Sequence, residues 1–329
     1  MPRIEDSLLR PEVWRAADGS VGRLITVKPG MCGHNSLFVG QVGDWTWETV
    51  SEVCGTDAFN AVNDQGLPTY LSFYYFRVRS GGQLHPGALT FGDRIETTSR
   101  VFGYGSESVL TLHRIRRVPP GSETKPEQGL DPDEFFAARQ PDCLYVQNFN
   151  RWVTRSHAGS NEGLITSAPA DFRHAHLPRL PAAHSPRAAY GSARTRQTFH
   201  NPQDPDWEEL VAGDEVEYPI DITRDINGVG LLYFASYFSI IDGALLKMWR
   251  NQGRADRRFL DRTVLDHQLC YLGNADADSV LRIRLRSWRR RDDPAEERWN
   301  AVVEDAASGR CLAVCTLHVR LEGSNAAAQ

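Results

Sequence analysis

The chain has 329 residues, which is longer than one hydrophobic core usually extends, so its length predicts two packed units of about 150 residues each. Hydrophobic residues make up 41% and charged residues 24%, as in ordinary globular proteins, which excludes disorder as the dominant state. The formal net charge of −5 excludes the general attraction to nucleic acid or anionic membrane that a basic domain would have. The segment MPRIEDSLLRPEVWRAADGS lacks the apolar core of a secretory signal, and no apolar run reaches the length of a membrane span. We therefore expect a cytoplasmic protein.

The six cysteines include no C-x-x-C pair of the kind typical of zinc or redox sites. The nearest approach is Cys311 and Cys315 in the alternating stretch RCLAVCTLHVRL. A strand would place both thiols on one face, which favours packing over metal binding. The sequence also contains no G-x-G-x-x-G, Walker or H-E-x-x-H motif. We therefore expect neither a metal nor an organic cofactor.

The first half predicts a strand, a buried helix and an antiparallel meander. RLITVKPGM is typical of a strand that ends in a turn, and residues 34–54 show helical spacing up to Gly55. PTYLSFYYFRVRS and LYVQNFNRWVTRS are typical of strands, and residues 92–118 predict an antiparallel pair that divides at FGYGS. Residues 119–142 predict a surface excursion with one helical turn.

The second half repeats this pattern, though not its residue identities. VEYPIDITRDINGVG predicts a strand and a turn, and residues 231–253 predict a long apolar helix that must be nearly surrounded by protein. Four further strands follow. This order predicts an α+β double hot-dog fold, in which each antiparallel sheet wraps a central helix. We expect an N-terminal hot-dog domain at 1–155, a linker at 156–206 and a C-terminal hot-dog domain at 207–329. One continuous β-sandwich with inserted helices is the alternative.

A candidate site lies before the second predicted helix. DINGVGLLYFASYFSIID resembles the hot-dog thioesterase signature, in which an acidic residue and a small-residue turn open the central helix. Gly228 and Gly230 would let a thioester carbonyl approach the backbone N–H groups of a helix start. Asp225 and Asn227 either contact the substrate there or cap the helix. Asp242 is either a buried hydrogen-bonded carboxylate or an acid of the site.

In the first half, the turn PGMCGHNS places Gly33, His34, Asn35 and Ser36 at the start of the helix. His34 could act as a base or donate to a thioester oxygen, and Asn35 and Ser36 could be further donors. The alternative for His34 is a helix cap or a core imidazole.

Tyr70 opens the aromatic strand that follows the first helix. A phenol at this point could donate to a carbonyl, or attack it and carry the acyl group as an aryl ester. Packing in the aromatic core is the alternative for Tyr70, and it is the ordinary interpretation of Tyr74 and Tyr75.

The chain resembles the double hot-dog decarboxylase/acyltransferases of polyketide biosynthesis, typified by the leinamycin-pathway enzyme. GMCGHNSLFVGQVGDW, LPTYLSFYYFRVR, DINGVGLLYFASYFSIID and YLGNADADSVLRIRLRS carry the resemblance. It implies decarboxylation of a methylmalonyl- or malonyl-type acyl-CoA and transfer of the product to a phosphopantetheinylated acyl carrier protein (ACP). In that family the acyl group is carried on a tyrosine, and Tyr70 matches by position, with Tyr74 and Tyr75 in reserve. No cofactor beyond the coenzyme A thioester substrate is implied.

Two basic segments could recruit coenzyme A or the carrier protein: the strand residues 282–291, and Arg194 with Arg196. Solvated arginines on a strand face are the alternative. A hot-dog thioesterase or dehydratase is the nearest rival function, and a non-catalytic acyl-carrier-binding module is another. Both a monomer and a homodimer are compatible with fused hot-dog domains.

Overall fold

The computed structural model describes residues 11–33, 35–119, 122, 129–157 and 159–321. The chain divides into two compact units, Met1–Pro186 and Arg187–Gln329. The boundary between them lies within residues 156–206, the segment that the sequence predicts as a linker. No helix in the described part of the chain is both long and apolar enough to cross a membrane.

The first unit consists of an antiparallel sheet and one long helix. Its strands are β1 (Glu12–Arg15), β2 (Val21–Thr26), β3 (Tyr70–Ser80), β4 (Arg94–Gly103), β5 (Ser108–Arg117), β6 (Cys143–Arg155) and β7 (Leu164–Thr166). Its helices are α1 (Asn35–Cys54) and α2 (Pro132–Phe136), with 3-10 turns at Pro29–Met31, Pro86–Ala88 and Ala182–His184. The strand order is β1-β2-β4-β5-β6-β3, and β7 pairs with β6.

The helix α1 packs on one face of this sheet. Val50 and Cys54 of α1 form a buried cluster with Leu71 of β3 and Trp152 of β6. Trp47 ties the helix to the sheet, because its indole Nε1–H donates to the Leu71 carbonyl at 2.9 Å. The predicted helix over residues 34–54 is therefore confirmed from residue 35 onward.

The second unit is built in the same way. Its strands are β8 (Trp207–Pro219), β9 (Thr263–Tyr271), β10 (Val280–Arg290), β11 (Glu296–Asp305) and β12 (Cys311–Arg320). Its helices are α3 (Arg187–Arg196), α4 (Ser236–Asn251) and α5 (Asp256–Leu260). The sheet order is β9-β12-β11-β10-β8, and every neighbouring pair is antiparallel.

The apolar helix of the second half starts later than predicted. The periodicity predicts a helix from residue 231, whereas α4 begins at Ser236. The preceding residues form a tight hairpin instead, with a bridge between Ile226 and Leu232. Asn227 stabilises this hairpin, because its side-chain oxygen accepts the Leu231 N–H at 2.9 Å. Local side-chain hydrogen bonding therefore outweighs the helical pattern at this point.

The two units share one topology. In the first, the helix follows β2 and the sheet runs β2-β4-β5-β6-β3; in the second, the helix follows β8 and the sheet runs β8-β10-β11-β12-β9. The predicted repeat of strand, buried helix and meander is confirmed. The alternative of one β-sandwich with its helices outside the sheet is wrong, since each long helix is buried against a sheet of its own unit.

Candidate functional site

The start of α1 holds the first group of predicted site residues. Gly33 is exposed and has a φ of +113°, a backbone conformation that favours glycine. Asn35 is the first residue of α1, and Ser36 is half-buried in its first turn. His34 and the side chain of Asn35 lie outside the described residues. The predicted donor role of these residues stays a prediction.

Tyr70 is the first residue of β3, and its side chain is half-buried. Hydrogen bonds hold the backbone around it: the Thr69 hydroxyl donates to the Ser167 carbonyl at 2.6 Å, and the Thr154 hydroxyl donates to the Pro68 carbonyl at 2.8 Å. These bonds place the phenol at the end of the sheet where β7 joins β6.

Within the first unit, the structure does not bring Tyr70 beside the start of α1. Leu71, the next residue of β3, contacts the C-terminal half of the helix through Val50 and Trp47. Trp47 lies twelve residues after Asn35, which corresponds to about 18 Å of α-helix. Tyr70 and Ser36 therefore lie near different ends of α1.

The strand β3, which carries the three candidate tyrosines, is interrupted by a β-bulge. The pairing of β3 with β6 shifts between Phe73 and Tyr75, so Tyr74 is the extra residue of the bulge. Tyr75 is buried, with 2% of its surface exposed. Tyr70 and Tyr74 are half-buried. Access thus favours Tyr70 and Tyr74 over Tyr75 for contact with a substrate.

Two arginines of β6 stack against the accessible tyrosines. The guanidinium carbon of Arg155 lies 5.7 Å from the centroid of the Tyr70 ring, and that of Arg151 lies 5.4 Å from the centroid of the Tyr74 ring. Arg155 also donates to the side-chain oxygen of Asn161 at 3.1 Å. Because a cation over a ring face is attracted to its quadrupole, the four side chains form two cation–π pairs on neighbouring strands.

Asp44 of α1 has a carboxyl group with a raised pKa. Its side chain is half-buried and makes no hydrogen bond or ion pair with the described residues. Burial, together with the charge of Glu48 one turn later, raises the pKa of Asp44 to about 6. A carboxyl group that titrates near neutral pH is suited to proton transfer.

In the second unit, the predicted substrate-binding turn is the hairpin before α4. Asp225 is buried and accepts hydrogen bonds from the Tyr218 hydroxyl at 2.8 Å and the Asp221 N–H at 2.9 Å. Burial first, and then the bond to Asp225, raises the pKa of Tyr218 to about 12. Gly228 and Gly230 are exposed in the turn, where Gly230 has a φ of +79°.

The capping interpretation of Asp225 and Asn227 is wrong, because α4 begins nine residues after Asn227. Asp225 stabilises the loop that follows β8, and Asn227 stabilises the hairpin. The amide of Asn274 holds the second arm of this hairpin, accepting the Leu232 N–H and donating to the Leu232 carbonyl, both at 3.1 Å. Contact of this turn with a substrate stays a prediction.

Asp242 of α4 forms an ion pair with the buried Arg262 at 2.9 Å. Nearby, His267 Nε2 lies 3.2 Å from the thiol of Cys315. Burial lowers the pKa of His267 to about 3 and raises that of Cys315 well above its usual range. Both groups are therefore neutral near pH 7, which makes Cys315 a packing residue rather than a nucleophile. Across the part of the chain that the structure describes, no cluster of three His, Cys, Asp or Glu side chains could hold a metal ion.

The basic strand β10 is largely neutralised by its neighbours. Arg282 pairs with Glu215 at 3.2 Å, and Arg284, Arg286 and Arg290 also form ion pairs. Because these arginines are already paired with carboxylates, β10 offers a carrier protein less positive charge than its number of arginines indicates. Recruitment through β10 stays a prediction.

The comparisons with known proteins identify the family. A profile described as the LnmK N-terminal Hot Dog Fold domain matches residues 22–201. The chain belongs to this family. Among curated proteins, none matches the sequence significantly.

Solved structures that resemble the chain share its fold over nearly the whole length. A structure described as an oleoyl thioesterase from Lactobacillus plantarum has a TM-score of 0.57 at 10% identity, and the match covers 92% of this chain and 97% of that one. An acyl-ACP thioesterase from Bacteroides thetaiotaomicron has a TM-score of 0.51 at 7% identity, covering 92% and 98%. The 12:0-ACP thioesterase from Umbellularia californica has a TM-score of 0.51 at 10% identity, covering 92% and 98%. These likenesses, with the family match, confirm the double hot-dog fold.

The sequence interpretation missed Arg151, Arg155 and Asp44. The alternation in RWVTR contains a signal for the first two, since residues 151 and 155 of a strand share a face. Nothing in the sequence shows that this face is the one that carries Tyr70. The altered pKa of Asp44 depends on tertiary burial, which the helical pattern alone does not reveal.

Proposed function

We propose that the protein decarboxylates a malonyl- or methylmalonyl-type acyl-CoA and transfers the acyl group to a phosphopantetheinylated ACP, with Tyr70 as the acyl carrier. The observation that carries this proposal is the family match, which spans residues 22–201 and so includes Tyr70 together with β6. The half-buried phenol beside Arg155 supports it, because the group is accessible and lies against a cation.

The proposed chemistry has three balanced steps. The Tyr70 oxygen attacks the thioester carbonyl and loses its proton, and coenzyme A leaves as the thiol. The bond between the α-carbon and the free carboxylate breaks, carbon dioxide leaves, and the resulting enolate takes up a proton. The thiol of the carrier phosphopantetheine then attacks the aryl ester, and Tyr70 regains its proton. Decarboxylation and transfer to the carrier can occur in either order in this scheme.

An aryl ester suits this role, because a phenol is a better leaving group than an aliphatic alcohol and the acyl group stays reactive toward a thiol. The scheme needs donors for the enolate oxygen, and it needs neither a metal nor an organic cofactor. Coenzyme A enters only as part of the substrate.

The experiment combines methylmalonyl-CoA labelled in its free carboxylate with phosphopantetheinylated ACP. We expect labelled carbon dioxide to be released and propionyl-ACP to accumulate, in amounts that depend on the enzyme. Tyr70→Phe should form neither product. Tyr75→Phe is its matched control, because Tyr75 is a buried tyrosine of the same strand. Free methylmalonic or propionic acid in place of propionyl-ACP would contradict acyl transfer.

Hydrolysis of an acyl thioester is the second candidate. It is favoured by the thioesterase descriptions of the similar solved structures and by Asp44, whose raised pKa suits a base that activates water. In this case the labelled experiment would yield free acid, and Asp44→Asn would abolish its formation.

A further inference from the structure

Three polar side chains form a row across the sheet of the first unit. Ser72 of β3 and Ser108 of β5 both lie directly opposite Arg151 of β6. Because residues directly opposite each other in an antiparallel pair share a face, the three side chains project from the same side of the sheet. Arg151 thus has a serine directly opposite it on each of the two neighbouring strands.

Arg151 carries a charge that the described residues do not neutralise. Its side chain is half-buried against the Tyr74 ring, and its Nε atom is buried without a hydrogen-bond partner. No carboxylate of the described residues lies within ion-pair distance of it. The buried Arg114 of the same sheet, by contrast, pairs with Glu134 at 2.9 Å. A partly desolvated cation without an anion is costly unless a ligand supplies the negative charge.

The neighbouring hydroxyls are also available. Within the described ranges, neither Ser72 nor Ser108 makes a side-chain hydrogen bond. An arginine with a serine on each neighbouring strand can donate several hydrogen bonds to a carboxylate, which has two oxygens and accepts several. The donor set therefore favours an anionic group of small size.

This row lies beside the proposed acyl carrier. Tyr70 is opposite Val153, two residues along β6 from Arg151, which makes Tyr70 and Arg151 diagonal neighbours across two paired strands. Diagonal neighbours in such a pair are about 7–8 Å apart, within reach of a long side chain. An acyl group carried on Tyr70 is thus within reach of the long Arg151 side chain.

We propose that Ser72, Arg151 and Ser108 bind the free carboxylate of a dicarboxylic acyl group and so select it over a monocarboxylic one. This inference rests on the proposed function, since it assigns a substrate group to the surface around Tyr70. It also gives a reason for release of the product. Loss of carbon dioxide removes the charge that Arg151 binds, so the decarboxylated acyl group is held more weakly than the substrate.

The test is calorimetric binding of malonyl-CoA and acetyl-CoA analogues in which an amide nitrogen replaces the thioester sulfur. An amide is a poor acyl donor and a poor electron sink, so neither ligand acylates Tyr70 or loses carbon dioxide during the titration. We expect the wild type to bind the malonyl analogue about tenfold or more tightly than the acetyl analogue. Arg151→Gln should remove this preference and leave the affinity for the acetyl analogue unchanged.

Unchanged acetyl binding also shows that Arg151→Gln is folded. Arg179→Gln, at an exposed arginine of the same unit, is the matched control and should keep the preference. If Arg151→Gln does not fold, the double variant Ser72→Ala/Ser108→Ala should reduce the preference by about threefold or more. Equal weakening of both ligands would assign Arg151 to the coenzyme A phosphates and overturn the proposal, as would an unchanged preference. The measurement involves no turnover, so failure of the acyl-tyrosine scheme would leave its result intact.

Discussion

The guanidinium of Arg155 lies over the ring of Tyr70, with 5.7 Å between the guanidinium carbon and the ring centroid. A cation in this place stabilises the negative charge that develops on the phenol oxygen when it loses its proton to attack the thioester, and again when the acyl group leaves. We therefore expect the contact between Arg155 and Tyr70 to increase the rate of the proposed acyl transfer.

Replacing Arg155 with methionine should slow acylation of Tyr70 by about 2- to 30-fold, because a cation–π contact contributes about 0.5–2 kcal/mol. Methionine keeps apolar contact with the ring and removes the charge. The rate of adduct formation by rapid-quench mass spectrometry measures the effect, with Arg155→Lys retaining part of it. Equal rates for Arg155→Met and the wild type would show that the cation has no part in the reaction.

Asp44→Asn should stabilise the protein at neutral pH. Between the ordinary carboxyl pKa and about 6, the folded state binds a proton that the unfolded state has released, so the free energy of unfolding falls as pH rises through this window. Allowing for solvent screening, the variant should gain about 1–2 kcal/mol over the wild type between pH 4 and pH 7. Urea denaturation at both pH values measures the gain. If the variant and the wild type differed in stability by the same amount at pH 4 and pH 7, the pKa of Asp44 would lie near its ordinary range.

His113→Gln should weaken the acid sensitivity of the fold. His113 is buried under α1, where Thr46 Oγ1 lies 3.0 Å from its Nε2 atom and Ser99 Oγ lies 2.8 Å from its Nδ1 atom. Burial, with the charge of Arg23, lowers the pKa of His113 to about 3. The unfolded state then binds a proton below pH 6.5 that the folded state does not, so stability is lost as pH falls from 6.5 toward 3.

The loss contributed by one such histidine approaches about 1.4 kcal/mol per pH unit, and glutamine removes that contribution. Guanidinium denaturation of both proteins from pH 7 to pH 4.5 measures the two slopes. The comparison uses the slopes because the substitution also changes packing at every pH. Parallel slopes would contradict a neutral buried imidazole at this position.

Asp242→Ala should destabilise the protein by about 3–5 kcal/mol, since it leaves the buried Arg262 without its ion-pair partner. The double variant Asp242→Leu/Arg262→Met removes both charges and should be markedly more stable than Asp242→Ala. Thermal unfolding of the three proteins gives the comparison. A double variant less stable than the single one would show that Arg262 stabilises the fold by other contacts.

Local patterns predict the elements of this fold well where the apolar spacing is strong. The helix α1 and the aromatic strand β3 lie where their periodicity indicates, and residues of both pack into one buried cluster. The start of α4 could not be predicted in this way. The Asn227 side chain and the distant Asn274 hold the preceding residues in a hairpin, and the second of these contacts is not local.

The candidate site was less accessible to sequence reasoning than the fold. The pattern identifies Tyr70 as the first residue of a strand, but it does not show that β6 is the neighbour of β3 or that Arg151 and Arg155 stack on its tyrosines. Strand pairing is set by tertiary packing, so the charges beside the phenol appear only in the folded chain.

The central claim is that Tyr70 carries the acyl group. Intact-protein mass spectrometry after incubation with methylmalonyl-CoA, without a carrier protein, tests it most directly. We predict an added propionyl or methylmalonyl mass in the wild type and in Tyr75→Phe, no such mass in Tyr70→Phe, and loss of the mass when phosphopantetheinylated ACP is added. An adduct that persists in Tyr70→Phe, or free acid that accumulates with no adduct in any protein, would contradict the claim.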